Sequence, residues 1–98
     1  MDVIRHVVIS GWVQGVGYRA WTEYTALEAG IQGWVRNRRD GSVEALFVGP
    51  PDSVVGMIAA CREGPPGSRV EAVDQREGIR AELALRRHGE LFSVLGSA

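Results

Sequence analysis

The chain has 98 residues, of which 45% are hydrophobic and 23% charged, and its formal net charge is −1. This length and balance predict one globular domain over residues 1–98 and argue against a disordered, coiled-coil or low-complexity chain. No apolar run approaches the ~20 residues of a membrane helix, and the N-terminus lacks a secretory pattern, so we expect a cytoplasmic protein with no membrane partner. A near-neutral chain is also a poor candidate for binding nucleic acid.

The first part of the chain predicts a strand followed by a helix. Residues 4–13 carry an apolar run that favours a central strand rather than an edge strand. Residues 19–29 predict a helix that Gly30 terminates. The sequence does not decide which face of this helix is buried. The two candidate stripes are Ala20/Tyr24/Leu27 and Trp21/Thr25/Ala26/Ala29.

A β-hairpin comes next. Residues 31–37 place Ile, Gly and Val on one side and Gln, Trp and Arg on the other, which is typical of a half-buried strand. The dipeptide Asp40-Gly41 is a strong hairpin signal, so residues 42–48 are predicted to form the returning strand.

The second half predicts another helix and two more strands. The helix follows two prolines, with Asp52 or Ser53 as its N-cap. Its core stripe consists of Val54, Met57, Ile58 and Cys61. Residues 69–75 and 91–95 predict strands. Residues 79–87 combine the alternation of a strand with the composition of a helix, so the sequence does not decide between the two.

The resulting order, β-α-β-β-α-β with a short fifth strand, predicts an α+β fold of the ferredoxin-like type. Right-handed crossovers then place both helices on one face of an antiparallel sheet with strand order 4-1-3-2. In that sheet the first two strands point the same way, with the third between them. The loop after strand one and the end of strand two therefore meet at one sheet edge, roughly 10 Å apart.

The loop at that edge has the features of an anion site. Two glycines let consecutive N–H groups face inward, and the following helix adds the positive end of its dipole. Arg19, at the helix start, can add a bidentate contact to a phosphate. The loop residues are Gln14, Gly15, Val16, Gly17 and Tyr18. A tight turn followed by an exposed arginine remains the alternative. Asn37 by itself favours a turn at the strand end, which is the commonest role of such an asparagine.

Two nucleotide-binding interpretations fit poorly. Residues 15–20 match the GxGxxA fingerprint, but a dinucleotide fold needs a parallel sheet and an acidic residue ending the second strand. Here a hairpin follows directly, and Asn37 occupies that strand end. The Gly-Lys-Ser/Thr of a Walker A loop does not occur in the sequence.

Two stretches resemble the signatures of the acylphosphatase family. GWVQGVGYR, residues 11–19, fits the first signature, with Tyr18 where Phe is more usual. GWVRNRRDGSV, residues 33–43, followed by Gly49, fits the second, at the family's spacing. The resemblance covers residues 4–75 well and the last strand loosely, and residues 76–90 look long for the family.

The resemblance implies hydrolysis of acyl phosphates to a carboxylate and inorganic phosphate. It places the family's phosphate-binding arginine at Arg19, its water-positioning asparagine at Asn37 and its loop amides at residues 15–18. It implies a small-molecule acyl phosphate substrate, with inorganic phosphate as product and competitive inhibitor. We expect no cofactor and no metal, since neither signature carries ligand residues, and a monomer by default.

Other conspicuous side chains receive structural interpretations. We expect Cys61 to be a buried, inert thiol, and one cysteine excludes an internal disulfide. His6 and His88 are predicted to be structural or exposed. The tryptophans are predicted to pack, although Trp12 could border the acyl group. Arginines 36, 38 and 39 are predicted to form a solvated hairpin tip that could also attract anionic substrates.

Two other functions compete with acyl phosphate hydrolysis. One is an acylphosphatase-like module that handles carbamoyl phosphate, as at the front of hydrogenase-maturation carbamoyltransferases; no zinc-finger or transferase domain is expected here. The other is a non-catalytic anion-binding or RNA-binding ferredoxin-like domain. RNA binding on a sheet needs exposed aromatic residues, which the central strands do not supply.

Overall fold

Five strands, two α-helices and one 3₁₀ helix make up the computed structural model, which describes residues 1–98. The strands are Val3–Trp12 (β1), Gln32–Asn37 (β2), Val43–Gly49 (β3), Arg69–Glu77 (β4) and Phe92–Val94 (β5). The helices are Tyr18–Glu28 (α1) and Pro51–Glu63 (α2), and the 3₁₀ helix is Arg80–Leu85. Neither α-helix has the length and apolar character that crossing a bilayer requires.

The strands form one sheet in the order β4-β1-β3-β2-β5. The predicted order of the first four strands is therefore confirmed, and these pair antiparallel. The expectation of a wholly antiparallel sheet is wrong at one edge, because β5 pairs parallel with β2. The 3₁₀ helix contacts β2, so the chain reaches the β2 edge over the sheet and enters β5 in the direction of β2.

The main core lies between the sheet and the two helices. On α2, the predicted stripe of Val54, Met57, Ile58 and Cys61 is buried. On α1, the buried residues are Tyr18, Thr22 and Ala26. Trp21 is half-buried against this core, while Tyr24 and Leu27 are exposed. The open question about α1 is thus answered in favour of the face that carries Ala26.

The start of α2 differs from the prediction of a side-chain cap. The N-cap position is Pro50, and neither Asp52 nor Ser53 makes a capping hydrogen bond. Pro51 occupies the first helical position, where its fixed φ suits a helix and its missing N–H costs nothing. Asp52 lies in the first turn, where its charge favours the helix dipole instead.

The opposite face of the sheet carries a second, smaller core. The 3₁₀ helix, over the segment that the sequence left open, packs Leu83 against Trp34 and Leu46. The indole Nε1 of Trp34 donates a hydrogen bond to the Glu82 carbonyl at 2.8 Å. Only 1% of Trp34 is exposed, so the prediction that β2 is half-buried is wrong here. The alternating pattern of β2 did not predict that the 3₁₀ helix covers this face, because the pattern placed Trp34 on the same side as the polar residues Gln32 and Arg36.

An ion cluster borders this second core. Glu44 Oε2 lies 2.6 Å from His6 Nε2, and Arg36 Nε donates to Glu44 Oε1 at 2.7 Å. Arg36 also lies over the Trp34 ring, 4.9 Å from its centroid. Burial alone would raise the pKa of Glu44, but the hydrogen bonds and charges of Arg36 and His6 hold it below its usual value. Glu44 therefore contributes stability at neutral pH that is lost as the pH falls through its lowered pKa.

Gly33 in β2 provides a stability test of the sheet. Its φ is +148°, and a Cβ atom there would lie 1.8 Å from the Leu46 carbonyl oxygen. We expect Gly33→Ala to lower the free energy of unfolding by more than ~3 kcal/mol in urea titrations, because the backbone itself would have to move. In contrast, a Cβ at Gly56 in α2 meets nothing within 4 Å. Gly56→Ala should raise stability by ~0.5–1 kcal/mol. Equal effects of the two variants would contradict this account.

Candidate active site

Two glycines in left-handed conformations shape the loop between β1 and α1. Gly15 has φ +76° and Gly17 has φ +79°. Gly17 is the N-cap of α1, and its carbonyl accepts the Trp21 N–H at 3.0 Å. The first N–H groups of a helix have no partner within it. The turn thus points the beginning of α1, with free donors and a positive dipole end, at the sheet edge.

One cavity joins this loop to the end of β2. It has a volume of about 420 Å³. Its lining residues are Gly15, Gly17, Tyr18, Arg19, Ala20, Glu23, Asn37 and Val94. The strand order explains the meeting, since β1 and β2 both pair antiparallel with β3 and so end at the same edge. Arg19 and Asn37 therefore share a cavity, as the topology predicted.

Arg19 is a free cation in this cavity. Its side chain is half-buried and makes no hydrogen bond or ion pair with the protein. Arg36 and Arg76, in contrast, are each bound to a glutamate at 2.7 Å. A guanidinium beside unpaired loop donors suits a planar, bidentate contact to a phosphate or carboxylate.

Gln14 and Val16 belong to the loop but do not line the cavity. The Gln14 side-chain amide donates to the carbonyls of Arg38 and Ser42, each at 2.8 Å. It thereby ties the loop to the hairpin that follows Asn37. Val16 packs half-buried against the main core. The side chains of both residues thus support the loop from behind.

Tyr18 lines the cavity, yet its hydroxyl points to the protein interior. The hydroxyl donates to the Cys61 carbonyl at 2.6 Å, linking α1 to α2. Burial raises the pKa of Tyr18 far above its ordinary value, so the phenol stays protonated. Burial likewise raises the pKa of the Cys61 thiol to about 12, which agrees with the predicted inert cysteine.

The histidines and the exposed tryptophan lie elsewhere. His6 is held by Glu44 beside the second core, and His88 is exposed in the segment before β5. Trp12 is 70% exposed and borders a different cavity, with Gly11 and Arg69 among its neighbours. The idea that Trp12 borders the acyl group therefore finds no support in the geometry. Trp34 and Trp21 do pack, as predicted.

Two other concave regions contain arginines but no residue of the loop between β1 and α1. Arginines 36, 38 and 39 line a separate cavity of about 360 Å³ at the hairpin. A larger cavity of about 600 Å³ lies between the start of β1, α2 and the end of β4, and its arginine, Arg5, is hydrogen-bonded to Gln75. No group of three or more His, Cys, Asp or Glu side chains is placed to hold a metal ion.

Three residues of the cavity were not predicted from the sequence: Ala20, Glu23 and Val94. Glu23 stands four positions after Arg19, and residues at that spacing share a helix face, so this signal was available. Val94 had no such signal, because it reaches the cavity through the parallel pairing of β5 with β2.

The sequence model of the acylphosphatase family matches residues 5–83. The chain belongs to the acylphosphatase family. It is 62% identical over 92 residues to an acylphosphatase of Bradyrhizobium diazoefficiens, covering 94% of this chain and 93% of the relative. It also resembles the structure of an acylphosphatase from Coxiella burnetii, with TM-score 0.83, 32% identity and coverage of 96% and 93% of the two chains.

A longer protein shares this acylphosphatase fold. Full-length HypF, in a phosphate- and nucleotide-bound form, aligns with TM-score 0.84 and 26% identity. The match covers 99% of this chain but 12% of that chain. HypF therefore resembles this chain over a small part of its own length.

The two hydrogen bonds of Gln14 predict that this side chain stabilises the loop and hairpin together. Gln14→Leu keeps a similar volume but leaves the carbonyls of Arg38 and Ser42 without their donor. We expect it to lower the free energy of unfolding by ~1–3 kcal/mol, measured by urea denaturation. Gln75→Leu on β4 is the control: its exposed side chain accepts one hydrogen bond, from Arg5, which water can replace, so stability should change by less than ~0.5 kcal/mol. A Gln14→Leu protein as stable as this control would contradict the assignment.

Proposed function

We propose that this cavity hydrolyses acyl phosphates, with Arg19 and the amides of residues 15–18 holding the phosphate group and Asn37 positioning the attacking water. The products are a carboxylate and inorganic phosphate. Membership of the acylphosphatase family supports the reaction, and the position of each side chain in the cavity supports its role. Residues 1–98 act as one catalytic domain in this proposal.

The observation that carries the proposal is the free guanidinium of Arg19 in the same cavity as Asn37. A phosphate held by the helix start and Arg19 lies at the end of β1, while Asn37 approaches from the end of β2. The neutral Asn37 amide offers both a donor and an acceptor to a water molecule. Arg19 binds the anion from the start of α1, and Asn37 contacts the attacking water from the end of β2.

The reaction needs little else from the protein. Water attacks phosphorus, the bond between phosphorus and the acyl oxygen breaks, and the bonding electrons leave on the carboxylate. Because a carboxylate is a good leaving group, no acid has to protonate it. Charge in the loose transition state lies on the equatorial phosphoryl oxygens. Donors fixed around those oxygens before the reaction begins stabilise that charge where it develops.

Arg19→Ala should reduce kcat/KM for benzoyl phosphate at least ~100-fold, because it removes a charge-assisted contact in the transition state. Arg19→Lys should recover little, since an ammonium group cannot make the bidentate contact. Steady-state kinetics measure both, with Arg62→Ala on the exposed side of α2 as the control. A lysine variant with normal turnover would remove Arg19 from the proposed role.

Asn37→Ala should behave differently from Arg19→Ala. If Asn37 orients water, the variant should lower kcat severely while the inhibition constant of inorganic phosphate changes little, since phosphate contacts remain. Initial rates with phosphate as a competitive inhibitor give both quantities. Loss of phosphate binding in Asn37→Ala, with kcat retained, would assign Asn37 to the anion rather than to the water.

The rate should stay roughly flat across neutral pH, because no group assigned to the reaction titrates near pH 7. A bell-shaped profile with a limb near a histidine pKa of ~6.5 would point to acid–base catalysis instead.

The rate should also not change in excess chelator, because neither signature supplies metal ligands. Activity lost in chelator and restored by magnesium would show a metal requirement.

A further inference from the structure

Glu23 is the one negatively charged residue among those that line the cavity, and Arg19 is the one positively charged residue. The Glu23 side chain is half-buried and makes no hydrogen bond or ion pair with the protein, so its carboxylate is not bound to Arg19. A carboxylate in an anion site opposes the binding of anions. No step of the proposed hydrolysis involves Glu23.

The position of Glu23 separates it from the phosphate end of the cavity. Arg19 stands in the first turn of α1, beside the loop amides. Glu23 lies one turn further along, about 6 Å along the helix axis at 1.5 Å per residue. The cavity is also lined by Ala20 and Val94, which offer small apolar surfaces. A phosphate bound at Arg19 therefore leaves the acyl group the part of the cavity that Glu23 borders.

We propose that Glu23 determines the substrate class: it disfavours acyl phosphates whose acyl group carries a negative charge and favours those whose acyl group ends in an amine or amide N–H donor. This inference rests on the proposed function, because it requires the phosphate to occupy the Arg19 end. It assigns the acyl group a binding region of its own, built from one charged and two apolar side chains.

The physical basis is the Coulomb interaction between Glu23 and the far end of the acyl group. A carboxylate there would approach Glu23 without a counter-ion of the protein between them, whereas a neutral group would not be repelled. An ammonium group would gain attraction and hydrogen bonds. At a separation of ~6 Å in a partly solvated cavity, one charge changes the relative binding by about tenfold. Apolar contacts with Ala20 and Val94 affect all three substrate types alike.

Three matched substrates test the inference: benzoyl phosphate, 4-carboxybenzoyl phosphate and 4-(aminomethyl)benzoyl phosphate. They share the reacting group and the ring and differ in the charge at the para position. For the natural sequence, kcat/KM should be lowest for the carboxy compound and highest for the aminomethyl compound. In Glu23→Gln, the ratio of carboxy to unsubstituted substrate should rise about tenfold, and the advantage of the aminomethyl compound should shrink.

Glu28→Gln is the matched control. Glu28 ends the same helix, is exposed and does not line the cavity, so its loss changes the net charge equally without touching the acyl group. Its substrate ratios should equal those of the natural sequence. Ratios are taken within one protein preparation, so a variant that is partly unfolded still reports specificity.

Three results would overturn the inference while leaving the hydrolysis intact: ratios in Glu23→Gln within twofold of the natural sequence, an equal change in Glu28→Gln, or a preference of the natural sequence for the carboxy compound. Failure of the proposed function looks different. In that case the unmodified chain would not hydrolyse benzoyl phosphate, or Arg19→Ala would hydrolyse it normally.

Discussion

The placement of β3 between β1 and β2 is the constraint on which the site depends. Antiparallel pairing on both sides of β3 makes β1 and β2 run in the same direction and separates them by one strand. The loop that follows β1 and the residue that ends β2 therefore face each other across a fixed gap. The Gln14 amide reinforces this arrangement from the side, because it joins the loop to two carbonyls of the hairpin. A bound anion then meets donors that need no rearrangement.

Some charged side chains form ion pairs within the protein, whereas those that line the cavity do not. On the outer face, Arg36 and His6 share Glu44, and Arg76 pairs with Glu82, whose pKa this contact and the Ile79 N–H lower to about 2. The contact between Arg76 on β4 and Glu82 holds the 3₁₀ helix against the sheet. In the cavity, Arg19 and Glu23 face the same space with no protein partner. Charges left unpaired in a concave site are available to a ligand, which is the property that a binding site requires.

The sequence predicted the parts of this protein that local patterns and short-range topology determine. The glycine pair, the Asp40-Gly41 hairpin and the order of the first four strands brought Arg19 and Asn37 together, and the structure confirms that placement. The roles of both residues stay predictions. The missed features depend on long-range packing. The burial of Trp34 follows from a 3₁₀ helix distant in the chain, and Val94 enters the cavity because β5 adds to the β2 edge.

The last strand makes the cavity depend on both ends of the chain. The loop glycines lie near the beginning of the chain and Val94 near its end, yet both line one cavity. Bringing residues so distant in sequence together costs chain entropy, which the pairing of β5 with β2 has to offset. A change that frees β5 from β2 would therefore remove one wall of the cavity while leaving in place Arg19, Asn37 and the central strands that position them.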